Sequence, residues 1–238
     1  MTHVKNVQAF GKLMGICTGL GGNYNPGNQN LQVNAMTTLS NSAQHILNEV
    51  NEAQIAYDYA TNKRVDDFAE LRKISSRVLS LLKASGAHEL TVKDAQRTVV
   101  KIWGRREKKP VVLPASPDAS VKSPTFAYPY DYASIVQYFA HLVETVASMP
   151  KYKPNEQALT VEGLKQRLAE LRMVNDAVAQ AEVTLSQARR KRNELYYLGE
   201  SNLFATAMAA KQYVRGAFGY QSPEHLEVRK LRFTKPHA

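Results

Sequence analysis

An all-α fold, an internally duplicated helical bundle with one long heptad-patterned helix per repeat, is predicted by three observations. One phrase occurs twice, as NYNPGNQNLQV from Asn23 to Val33 and as KYKPNEQALTV from Lys151 to Val161. Behind each copy runs a long stretch whose apolar residues recur at alternating spacings of 3 and 4, the seam of a helix. Period-two alternation, the mark of a strand, is confined to the short piece Lys109 to Leu113.

The elements follow in chain order. Val4, Val7, Phe10, Met14 and Cys17 share one side of a first helix, which the glycines of GLGGN, Gly19 to Asn23, bring to a stop. The tyrosine-proline phrase then forms the turn into the long helix. There Met36, Leu39, Ala43, Ile46, Val50, Ala53, Tyr57 and Ala60 make the seam. No glycine or proline interrupts residues 31 to 85, yet one helix of that length is unusual in a globular domain. The second copy resolves this, because Gly199 and Ser201 read as a helix stop and the next N-cap. By overlay the first copy breaks near Glu70 or Leu71, which leaves roughly 50 Å of helix in each repeat at 1.5 Å per residue. A third helix covers Arg72 to Lys83, and a fourth begins at Thr91, which with Asp94 resembles a capping box.

Five prolines between Arg105 and Asp131 remove backbone donors and favour extended chain, so residues 105–130 read as a linker between repeat 1 (1–104) and repeat 2 (131–238). The second repeat overlays the first at an offset of 128, with Val7 on Ile135, Tyr24 on Tyr152, Pro26 on Pro154 and Leu31 on Leu159. The seam becomes Leu164, Arg167, Leu171, Val174, Val178, Ala181, Leu185 and Ala188, broken only at Arg167, where Leu168 can supply the contact. Asn202 to Phe218 is the third helix of this repeat, and Ser222 followed by Pro223 opens the last. The expected packing sets the halves against each other about a pseudo-twofold axis; the alternative closes each half on its own shorter helices. One step beyond each seam stand Arg64 and Arg192, either as a stem covering the last layer with its head in water or as a polar layer with Asp66, Asp67 or Glu194.

Composition bounds the function. Hydrophobic residues make up 44% of 238, enough for a core, and no early or late apolar run suits a leader or a membrane span, so a cytoplasmic protein without a membrane partner is expected. A single cysteine, Cys17, forbids an internal disulfide. None of the six histidines has metal-ligand spacing, GLGGN lacks a preceding strand, and the adjacent Asp66 and Asp67 lie among arginines. No catalytic, cofactor-binding or metal-binding residue is therefore expected. The net charge of +10 is spread over both halves and favours a polyanion or an acidic protein face. The candidate polyanion contacts are Lys63 and Arg64, then Arg105, Arg106, Lys108 and Lys109, and finally Arg189, Arg190, Lys191 and Arg192. Cations at the end of a long helix also complement its dipole, which alone accounts for the last group. The run Phe126, Tyr128, Tyr130 and Tyr132 can stack bases or hold the linker against the bundle.

With its repeated tyrosine-x-proline turn, its long alanine-bearing helix and the terminal LRFTKP from Leu231 to Pro236, the chain resembles uncharacterised bacterial proteins built from two tandem helical repeats. The resemblance implies a bacterial source and brings no activity with it. The expected function is that of a non-enzymatic scaffold or structural protein with a protein partner or with itself; the alternative is a basic, sequence-nonspecific nucleic-acid-associated protein.

Overall fold

The computed structural model describes residues 2–104 and 130–235. All regular structure among them is helical: α1 (Thr2–Gly19), α2 (Val33–Ala69), α3 (Leu71–Ala84), α4 (Glu89–Ile102), α5 (Tyr132–Ala147), α6 (Val161–Asn193), α7 (Leu203–Phe218) and α8 (Pro223–Arg229). Short 3₁₀ turns precede the two long helices at Gln29–Leu31 and Gln157–Leu159, and a π turn at Glu194–Leu198 follows α6. No described helix is long and apolar enough to cross a membrane. Arg105, Arg106, Lys108, Lys109, Phe126, Tyr128 and the Lys109 to Leu113 piece lie outside the described residues.

The chain forms two compact units, one gathering Met1–Asp58 with Ala181–Ala238 and the other Tyr59–Gln180. Each unit draws helices from both sides of the proline-rich segment. In the first, α1 and the front of α2 are closed by the rear of α6, α7 and α8, around Phe10, Leu13, Cys17, Met36, Tyr196, Leu203, Ala207 and Val214. In the second, α5 and the front of α6 are closed by the rear of α2, α3 and α4, around Phe139, Leu142, Val146, Leu164, Leu171, Leu71, Val78 and Val99. Within the first unit Tyr196 bonds the Ala43 carbonyl and Arg189 bonds Gln54. Lower numbers on one segment meet higher numbers on the other, so the two long-helix segments run antiparallel there.

The same side-chain logic introduces each of the long helices. Tyr24 and Tyr152 are each buried and donate their hydroxyl 2.9 Å to the carbonyls of Leu31 and Leu159, which sit at the ends of the 3₁₀ turns. The seam side chains Met36, Ala43, Val50, Ala53, Leu164, Leu171, Val174, Val178, Leu185 and Ala188 are buried. Burial shifts the overlay elsewhere. The buried residues Val7, Phe10, Leu13 and Cys17 of α1 have the same spacing as Val136, Phe139, Leu142 and Val146 of α5, at an offset of 129 where the sequence overlay uses 128. The buried residues Leu71, Ser75, Val78 and Leu82 of α3 have the same spacing as Leu203, Ala207, Ala210 and Val214 of α7, at an offset of 132.

Two caps differ from the sequence reading. α4 starts at Glu89 with His88 as its N-cap, the imidazole accepting from Leu90 N at 3.3 Å, so Thr91 lies inside the helix. α7 is capped by Asn202, whose side chain accepts from Ala205 N at 2.8 Å, while the neighbouring Ser201 hydroxyl accepts a bond from Asn30. Ser222 caps α8 with Pro223 in the first turn, as the sequence predicts.

Candidate polyanion-contact surfaces

The basic end of α6 is positioned by helix periodicity. Arg189 and Arg190 are exposed, and Arg189 is tethered through Nη2 to Gln54 Oε1 at 2.8 Å. Lys191 borders a hollow of about 390 Å³ with Ile46, Leu195, Gly199 and Asn202. Arg192 turns inward and donates to Asn193 Oδ1 at 2.9 Å. Burial, and then the neighbouring charge of Arg189, lower its pKa below the ordinary arginine value. Three of these four cations therefore face solvent.

Lys63 and Arg64 are more committed. Lys63 forms an ion pair with Asp67 at 3.0 Å, one turn on. Arg64, half-buried, lays its guanidinium on the Tyr132 ring at 4.2 Å, a cation–π seat. Of the two sequence readings for Arg64 and Arg192, neither describes these seats fully, because an aromatic ring and an amide take the heads. Asp67 serves Lys63 and also Arg167, which donates to the Asp67 carbonyl and bonds Glu170 at 3.0 Å. The seam break at Arg167 thus places a cation on a carbonyl in the last turn of α2, where the helix dipole favours positive charge. Leu168 beside it is buried.

Of the tyrosine run, the two described members border an apolar hollow of about 390 Å³ with Val65, Phe68, Leu71 and Ile135. Tyr132 meets Phe68 edge to face at 4.8 Å, and Tyr130 accepts from Arg72 Nη2 at 2.9 Å.

Sequence reading missed one surface. Arg72, Lys73, Ser76 and Arg77 of α3 line a hollow of about 550 Å³ together with Trp103. The indole is half-exposed and anchored through Nε1 to the Arg72 carbonyl at 3.3 Å. A usable signal was present: between Leu71 and Ala84 the chain has Arg72, Lys73, Arg77 and Lys83 and no acid. Because the cations are separated in sequence, they form no run and gather only when wound on a helix.

Cys17 is fully buried, and burial raises its thiol pKa, which suits a core residue. Among the described residues no group of three or more His, Cys, Asp or Glu side chains is placed to hold a metal. Set beside known protein families, curated proteins and solved structures, the chain matches none of them.

Proposed function

We propose that this is a non-enzymatic helical scaffold, cytoplasmic and built by internal duplication, that works by self-association through the outer faces of its long helices. One observation carries the reading: both long-helix segments of each unit leave large apolar side chains in water. In the first unit these are Ile55 at 68% and Val183 at 49% exposure; in the second, Tyr59 at 70% and Met173 at 70%. Covering such a side chain is worth roughly 1.5–3 kcal/mol, so several together provide a driving force for association. Support for duplication comes from the paired Tyr24 and Tyr152 bonds and from the matching burial along α1 and α5, the seams, and α3 and α7. Light scattering on a size-exclusion column over a range of loading concentrations tests the scaffold reading. The mass should rise above one chain as concentration increases; a single-chain mass throughout contradicts it.

A second reading, nucleic-acid association without base readout, is favoured by the acid-free basic face of α3 and by the exposed Arg189, Arg190 and Lys191.

A further inference from the structure

We infer that the groove between α1 and α7 is a binding site for an extended peptide, filled by residues 231–235 of the same chain and able to take that segment from a second copy. The inference is independent of the long-helix faces proposed above for self-association.

The first argument is that the groove reads a peptide backbone. Residues 231–235 are not helical and run over α1 and α7 as a strap. Asn6 of α1 is buried; its Nδ2 donates to the Thr234 carbonyl at 2.8 Å and its Oδ1 accepts from Thr234 N at 3.1 Å. One carboxamide thus pairs with both backbone groups of one residue, as a neighbouring strand would. From α7, Lys211 Nζ donates to the Leu231 carbonyl at 2.8 Å.

The second argument is the side-chain pattern. Leu231 and Phe233, two apart and so on one side of an extended chain, pack half-buried against the core of the unit, while Arg232 and Thr234 are exposed. The Lys211 ammonium also lies 6.0 Å from the centre of the Phe233 ring, and that of Lys235 lies 5.5 Å from the centre of Phe204. The ligand that fits is apolar-x-aromatic-x-basic in extended form.

The third argument is that packing alone does not call for the polar groups. At the offset of 129 that brings the buried positions of α1 onto those of α5, Asn6 falls on Ile135; at 132, Lys211 falls on Leu79, and both of these apolar residues are buried. Among the described residues Asn6 Oδ1 has no partner besides Thr234 N. A buried amide is satisfied there only when a peptide backbone lies in the groove.

The fourth argument is that the strap can leave. Leu231 N bonds the Val228 carbonyl, and beyond it no backbone-to-backbone bond among the described residues ties 232–235 to the unit. Three side-chain hydrogen bonds and two half-buried side chains hold it, so it opens without the unit unfolding. Every copy that opens offers both an empty groove and a segment that fits one.

The test uses the full-length chain and a capped, labelled peptide of residues 230–235, Lys-Leu-Arg-Phe-Thr-Lys. In the variant Leu231→Ser/Phe233→Ser the chain's own strap no longer fills the groove, and anisotropy should show saturable peptide binding. Wild type should bind at least about tenfold more weakly, because its tethered strap competes at a roughly millimolar effective concentration. Adding Asn6→Leu to the variant should raise Kd at least about tenfold, as should a peptide with proline in place of threonine, which removes the N–H that Asn6 accepts. Circular dichroism checks folding, and Thr234→Pro at an exposed position replaces the double variant if that one melts. Mixing an Asn6→Leu chain with a Leu231→Ser/Phe233→Ser chain should give a one-to-one complex in sedimentation beyond what either forms alone. A folded variant that does not bind the peptide, binding that ignores both Asn6→Leu and the proline peptide, or equal affinity of variant and wild type overturns the inference. A mixed pair no heavier than its components also overturns it. Mass gain common to all of these chains reports the long-helix faces, so the two readings fail separately.

Discussion

Two tyrosine hydroxyls do the same work where the long helices begin, each satisfying a buried carbonyl at the end of a 3₁₀ turn. Truncating Tyr152→Phe leaves the Leu159 carbonyl without its partner and should cost about 1–3 kcal/mol in denaturant unfolding. Burial, with a smaller contribution from Glu156, pushes the Tyr152 pKa up to about 12 from 10.0. Tyr24 is raised as well, first by burial. A raised tyrosine pKa means the fold prefers the protonated phenol. Its contribution is whole below pH ~10 and is lost as pH climbs from there toward 12. The Tyr24→Phe/Tyr152→Phe variant should accordingly show a weaker alkaline loss of melting temperature than wild type; an unchanged profile refutes this assignment. His3 works in the opposite pH range. Asn6 Nδ2 donates to the Tyr197 oxygen at 3.1 Å, and His3 Nδ1 lies 3.0 Å from the same hydroxyl. Burial, then Arg192 and the chain's amino terminus, lower the His3 pKa below 6.5. The folded state therefore favours neutral His3, and stability should decline as pH falls below about 6.5. His3→Gln should flatten that decline, and an unaltered acid limb would show that other groups govern it.

At the scale of elements, the helices were legible because apolar spacing repeats what burial requires. The break between α2 and α3 at Glu70 was readable only by overlaying the stretch on Gly199 and Ser201, since nothing local announces it. The cap of α4 was missed because histidine seldom caps, and the π turn after α6 was missed because it hides its extra residues inside an otherwise continuous helical pattern. An offset of 128, taken from the tyrosine-proline phrase, therefore does not carry the burial pattern of α3 onto α7, which needs 132. Arg167 looked like a flaw in the seam and is instead a clamp on the last turn of α2. Arg167→Ala should destabilise the protein by about 1.5–3 kcal/mol, the value of a hydrogen bond to a charged group. Arg167→Lys should recover only part of this, because an ammonium cannot reproduce the forked geometry. Equal stability of Arg167→Ala and wild type would remove the clamp from the account. The α3 surface escaped sequence reading for a related reason, as its cations share a face and not a run.

For the whole molecule, a repeated apolar pattern says that each half must cover its seam and leaves open which helices do the covering. A half that folds on itself and two halves that trade helices have the same letters. The structure assigns α1 and the front of α2 to a unit closed by α7 and α8, and α5 and the front of α6 to a unit closed by α3 and α4. The self-association proposed above rests on apolar side chains that are exposed in each unit. The variant Tyr59→Ser/Met173→Ser should lower the concentration-dependent mass without lowering the melting temperature; loss of mass gain only alongside unfolding would count against a surface role.

The exchange itself is tested most directly by expressing residues 1–104 and 131–238 separately, then measuring helical circular dichroism and light scattering for each alone and for the mixture. Neither half should be a folded monomer, and the mixture should recover cooperative helical unfolding in a one-to-one complex. A half that folds alone as a stable monomer would contradict the account.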